Sequence, residues 1–190
     1  MSDSARAQEV HRLRVPVSDE DWWRGPANAP VTLVEYADFE CEHCQAAYPG
    51  LEKLARAYRD HLRFVMRHFP VVSSHPRAMD AALAAEAAGK QGRFWEMHRR
   101  LFENPGKLDA QDLLRHAREI GLDMKRFQDD MNDPQLKRKI EEQKRQGLRS
   151  GVNGTPTLFL NGVRYDGPRD FEALSEAVEA AAGHGKDERR

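Results

Sequence analysis

Cysteine is nearly absent from this chain. Its 190 residues hold two, both in the segment Cys41-Glu42-His43-Cys44, so no framework of structural disulfides supports the fold. A long apolar run is also missing. No stretch approaches the roughly 18 apolar residues of a membrane-spanning helix, and no membrane partner is expected. Residues Met1 to Val10 lack the apolar core of a secretory signal, which leads to the expectation of a cytoplasmic protein. Neither charge is in excess: 30 basic against 31 acidic residues leave a formal charge of −1. That balance provides no global field for nucleic acid or anionic membranes and turns the search for partners to a local site. A chain of this length holds one compact domain with an insertion, or two small ones sharing a core. One domain with an inserted lobe is preferred.

The two cysteines follow a strand-like run, Val31-Thr32-Leu33-Val34-Glu35-Tyr36, where a helix begins. Two thiols separated by two residues in the first turn of a helix close a small disulfide without backbone movement. The unpaired helix N–H groups also stabilise the thiolate of the first. This pattern suits thiol–disulfide exchange. Half of a zinc site carries the same letters, and a zinc-binding interaction module stays open as an alternative. Against it, the chain has no second CxxC, and His61 and His68 are spaced more widely than the usual zinc pair. No metal site is expected. In a reducing compartment, an isolated CxxC reads as a dithiol that cycles.

Glu35 interrupts an otherwise apolar strand. A buried carboxylate there needs a partner or a raised pKa, unless its side chain reaches solvent or a Lys/Arg from an edge strand. Beyond the cysteines, Tyr48, Leu51, Leu54, Ala55 and Tyr58 recur at helical spacing, with Pro49 expected to kink the helix. Leu62 to Phe69 reads as a second strand, parallel to the first. Helical signals then run from about residue 75 to 150, with Asp109 and Pro134 marking two of the starts. The basic residues Lys137, Arg138, Lys139, Lys144, Arg145 and Arg149 alternate with Glu141 and Glu142, as on a solvated helix face; no nucleic-acid partner is expected. Thr157 to Leu160 and Val163 to Tyr165 form a hairpin around Asn161-Gly162, and a last helix capped by Asp170 stops near Gly183. Trp22-Trp23 covers a core edge and pins down the polar segment before it.

The CxxC after a strand, the helical insertion, and Gly154-Thr155-Pro156-Thr157 leading into a hairpin and final helix together resemble the DsbA-like branch of the thioredoxin superfamily. The resemblance spans roughly residues 26 to 182 and includes the approach from Gly25 to Tyr36 typical of bacterial members. It implies an α/β chain with a thioredoxin-like fold and an inserted all-helical lobe. Its divisions are a flexible N-terminal arm (1–20), a first thioredoxin-like part with the CxxC (21–74), the helical insertion (75–150), a second thioredoxin-like part (151–183) and a disordered tail (184–190). By the same likeness, Cys41 is the nucleophile, Cys44 the resolving thiol, Pro156 a cis-proline facing them, and Glu35 the acid that relays the proton of Cys44. The redox-active disulfide needs no bound cofactor. Cys41 is expected at the exposed end of its helix and Cys44 shielded one turn in, with the Thr155 backbone turned outward to pair with an extended substrate.

The chain departs from the better-known pattern between its cysteines. Glu42 stands where many members have proline, and its charge opposes stabilisation of the Cys41 thiolate by the helix and by a protonated His43. Thr155 resembles the residue of isomerase- and reductase-like relatives. The expectation is a thiol–disulfide oxidoreductase, either a weak-to-moderate oxidant or a reductase. It would act on protein or small-molecule disulfides and be reduced by glutathione or a thioredoxin system. A glutathione-dependent transferase or isomerase on the same fold is the rival; those relatives usually have serine at the nucleophile position and lack the second cysteine.

Overall fold

The β-branched run after Pro30 forms strand β2, Val31–Ala37, buried along almost its whole length. Such a strand needs neighbours on both edges and cover on both faces. The computed structural model, which describes the backbone of residues 10–187 and the side chains of residues 10–183, supplies both. Helix α1 (Glu42–Ala57) connects β2 to β3 (Leu62–His68), and the two strands pair in parallel from Val31↔Leu62 to Ala37↔His68. On its other edge β2 pairs antiparallel with β4 (Thr157–Leu160), which turns through Asn161 and Gly162 into β5 (Val163–Tyr165). Both turn residues have positive φ, 47° and 81°, as a two-residue hairpin with the right-handed strand twist requires. Trp22–Arg24 forms β1, an edge strand antiparallel to β3 that completes the order β1-β3-β2-β4-β5. Three residues are too short to show alternation, and this strand was not expected from the sequence.

Between β3 and β4 lies the helical lobe: α2 (Ala78–Gly89), α3 (Phe94–Glu103), α4 (Ala110–Glu119), α5 (Met124–Met131) and α6 (Pro134–Arg149). Three of these start on an aspartate whose carboxylate accepts a backbone N–H of the first turn: Asp109 from Asp112, Asp123 from Arg126, and Asp133 from Gln135. Each satisfies a donor that the helix leaves unpaired. The small side chains of α2 let the lobe close on the sheet, and there it buries one charge. Glu86 receives Trp22 Nε1 at 2.9 Å and Lys139 Nζ at 2.8 Å, and its Oε1 lies 2.9 Å from His68 Nε2. Lys139 therefore points inward, not into the solvated face expected for the basic run. Lys144 likewise reaches the Pro70 carbonyl, while Glu142 does pair with Arg145 and Arg149 at the surface.

The opposite face of the sheet is covered by the end of α6, where Gly147 meets Tyr36 and Phe69, and by the segment that leads into β1. Residues 1–9 of the arm expected to be flexible or loosely docked lie outside the described residues; residues 10–20 are docked. Arg12 bridges Val163, Leu13 N–H donates to the Gly162 carbonyl at 2.8 Å, and Arg164 N–H donates to the His11 carbonyl at 3.0 Å. Arg67, 1 % exposed, holds the rest of the segment through the carbonyls of Val15 and Pro16 and the carboxylate of Asp21. At the other end, helix α7 (Phe171–Asp187) begins on Asp170, whose carboxylate accepts Ala173 N–H at 2.9 Å. It runs past Gly183, where a stop and a disordered tail were expected. Glycine inside a helix costs only about 1 kcal/mol relative to alanine, which weakens a helix without ending it.

Candidate active site

Cys41 caps the N-terminus of α1 with an extended backbone (φ −72°, ψ 122°), and its carbonyl accepts Gln45 N–H at 3.0 Å. Cys44 lies one turn further in. Both are free thiols. Cys44 is 0 % exposed, as expected for a resolving thiol, but Cys41 is only 5 % exposed, less open than a helix-terminal cysteine was expected to be. Its cover is the loop before β4: Cys41 Sγ lies 3.5 Å from the Thr155 carbonyl oxygen, across 114 residues of sequence. The Thr155–Pro156 bond is cis. The Thr155 carbonyl, expected to face a substrate strand, is thus turned towards the Cys41 sulfur.

The two thiols differ strongly in acidity. Cys41 is lowered to about 5, above all by the hydrogen bond from the Cys44 thiol; partial burial works against this. The Thr155 hydroxyl and the backbone N–H groups of Cys44 and His43 add to the lowering. Cys44 is raised well above the ordinary thiol value, first by burial, then by its hydrogen bond to Cys41 and by the charge of Glu35. At neutral pH one sulfur is therefore a nucleophilic thiolate while the other keeps its proton.

Glu35 pairs with Met66 on one side and Leu158 on the other, in the middle of the sheet and 2 % exposed. Its carboxyl has no hydrogen-bond partner among the described residues. Burial raises its pKa to about 7, with the guanidinium of Arg24 pulling the other way. Glu42 and His43 are both exposed in the first turn. The thiolate is favoured despite the Glu42 carboxylate beside it, and His43 contributes through its backbone N–H.

Two residues of the site had not been singled out in the sequence. Asp38 accepts Cys41 N–H with its backbone carbonyl at 3.2 Å, and His75 lies 2.8 Å from its buried carboxylate. Asp38 stands close before the CxxC, which is a weak signal; His75 lies in a loop after β3 with nothing local to mark it. Beside the sulfurs runs an open groove of about 720 Å³, lined by His43, Pro49, Lys53, Pro156, Arg169 and Phe171 among others. No group of three or more His, Cys, Asp or Glu among the described residues is arranged to hold a metal ion.

The geometry agrees with three comparisons. A family model described as thioredoxin matches residues 18–180. A thioredoxin-like oxidoreductase from Silicibacter pomeroyi is 30 % identical, with a TM-score of 0.78 over 86 % of this chain and 93 % of that one. Wolbachia pipientis alpha-DsbA1 is 21 % identical, with a TM-score of 0.79 over 94 % of this chain and 98 % of the other, a likeness of fold. Among curated proteins, the Na(+)/H(+) antiporter NhaA 3 of Salinispora tropica is 47 % identical over 170 residues, covering 89 % of this chain and 26 % of that protein. The chain thus spans about a quarter of the length of the curated relatives it matches.

Proposed function

The chain belongs to the thioredoxin family, and from that premise we propose that it is a DsbA-like thiol–disulfide oxidoreductase acting through Cys41 and Cys44. The observation that carries this reading is the placement of the two thiols, Cys41 at the N-cap of α1 against the cis Thr155–Pro156 loop and Cys44 buried one turn behind it; their acidities split accordingly, about 5 for Cys41 and raised well above the ordinary value for Cys44. In the reducing direction the Cys41 thiolate attacks a disulfide sulfur. A Cys41–sulfur bond forms, the substrate S–S bond breaks, and one substrate thiolate leaves. Cys44 then loses its proton and attacks Cys41 Sγ. The second substrate thiolate departs, and two electrons have passed from the dithiol to the substrate. Reduction of insulin by the dithiol protein tests the proposal. No reduction above the rate of the free reductant would overturn it.

Glu35 is the proposed acceptor of the Cys44 proton, supported by its burial, its pKa of about 7 and its electrostatic coupling to Cys44. The same burial has a thermodynamic cost. Folded Glu35 holds a proton between pH 4.5 and about 7, where the unfolded chain has released it. Stability is therefore lost as pH rises through that window and stays lost above it. Glu35→Gln is expected to gain about 2–3 kcal/mol in urea unfolding at pH 8 and almost nothing near pH 4. It should also slow resolution of the mixed disulfide about tenfold or more. Equal stability gains at both pH values would mean that the carboxyl is not desolvated.

Reaction with protein disulfides, recycling by glutathione or a thioredoxin system, and work in a reducing cytoplasm are parts of the same proposal. The reduction potential decides the direction, since each ~30 mV against the glutathione pool changes the equilibrium tenfold. The antiporter name belongs to proteins of which this chain matches about a quarter. No helix among the described residues is long and apolar enough to cross a membrane, and antiport forms no part of the proposal.

A further inference from the structure

The loop between β3 and α2 carries an imidazole that the exchange reaction leaves unused. His75 Nδ1 lies 2.8 Å from Asp38 Oδ2; the Asp38 side chain is 0 % exposed and that of His75 is 25 % exposed. The carboxylate also accepts Val71 N–H at 2.9 Å and Glu40 N–H at 2.8 Å. With so many donors converging on it, the ring presents Nδ1–H to Asp38, and Nε2 is the atom that gains or loses a proton. His75 is fixed by its own backbone: its N–H donates to the Val71 carbonyl at 2.8 Å, and its carbonyl accepts Ala78 N–H at 3.1 Å. Asp38 in turn touches both cysteines through its main chain, its carbonyl at Cys41 N–H and its N–H at the Cys44 sulfur.

We propose that the His75 imidazolium, held in place by Asp38, is a built-in counter-charge for Cys41, which makes His75 a positioning residue of the exchange reaction. The inference rests on Cys41 being the nucleophile. The charged groups facing His75 are Asp38, Glu40 and Cys41, all from the segment between β2 and α1. Burial disfavours the charged ring, but the hydrogen bond and charge of Asp38, followed by the charges of Cys41 and Glu40, outweigh it and raise the pKa of His75. Between about pH 5, where Cys41 ionises, and the raised pKa of His75, thiolate and imidazolium coexist. The ring transfers no proton. Its charge stabilises Cys41 as the attacking thiolate, and again in the oxidising direction, when a second substrate thiolate attacks the substrate sulfur of the mixed disulfide and Cys41 leaves as the thiolate.

The coupling is reciprocal, so it is measured from both ends. In His75→Gln, thiolate absorbance should show Cys41 titrating about half a pH unit higher, an acid about threefold weaker; His75→Lys should restore the lower value. In Cys41→Ser, where His75 is intact, NMR titration of the ring should give a pKa lower than in the parent protein. Unchanged Cys41 titration across the His75 variants, or an unchanged ring pKa in Cys41→Ser, would overturn the proposal. Neither readout needs a disulfide substrate. A failure to reduce insulin therefore counts against the proposed function alone, and unchanged titrations count against His75 alone.

Discussion

Cys41→Ser is expected to remove disulfide reduction by about three orders of magnitude or more, because the attacking thiolate is gone and a hydroxyl at neutral pH does not replace it. Cys44→Ser should behave differently. Its Cys41 still attacks, but nothing displaces the bound substrate, and mixed disulfides accumulate that only added dithiol releases. The structure sharpens this expectation. The Cys44 thiol is the first cause of the low Cys41 pKa of about 5, and serine retains a donor that alanine lacks. Cys44→Ala should therefore move the Cys41 titration up towards the ordinary thiol value of about 8.5, with Cys44→Ser falling between. Thiolate absorbance against pH, with mass analysis of trapped adducts, reads both effects. Full multiple turnover by Cys44→Ser would remove Cys44 from the resolving role.

Arg67→Ala should cost about 3–5 kcal/mol of folding stability, the range for breaking a buried ion pair by deleting one partner. The guanidinium donates to both oxygens of Asp21 at 2.8 and 2.9 Å, to the carbonyls of Val15 and Pro16, and to the Tyr36 hydroxyl at 3.1 Å. Deleting it leaves the buried Asp21 charge with only the Ser18 N–H as donor and takes the guanidinium from two carbonyls and the Tyr36 hydroxyl under the sheet. Asp21→Asn in the same chain should recover part of the loss, since the orphaned charge is then absent. The midpoint of urea unfolding measures the cost. Hydrogen exchange at Leu13 and Arg14 reports whether residues 10–20 detach, which a loss confined to the ion pair would not produce. A cost below about 1 kcal/mol would place Arg67 with ordinary surface pairs.

Much of the site was legible because its chemistry is local. Cys41 and Cys44 share one helical turn, Glu35 breaks an apolar strand, and Thr155-Pro156 precedes a strand; each is visible as a pattern over a few residues. The helical lobe, the parallel pairing of the first two long strands and the Asn161-Gly162 hairpin were legible for the same reason: periodicity, caps and turn chemistry act over short spans. What the sequence did not reveal depends on partners distant in the chain. Cys41 is covered by Thr155 across 114 residues, so a cysteine expected at an exposed helix end is nearly closed off. His75 meets Asp38 across 37 residues, and Arg67 meets Asp21 across 46. Hence neither the counter-charge beside the nucleophile nor the docking of residues 10–20 could be expected from composition. Lys139, read as one charge of a solvated run, instead serves the buried Glu86. By itself the sequence determined which groups stand together in the proposed site and the elements that carry them, because covalent neighbours and helix or strand periodicity set both. Only the tertiary structure decided how acidic those groups are and how far water reaches them, because burial and Coulomb interactions depend on which distant residues the fold brings within a few ångströms.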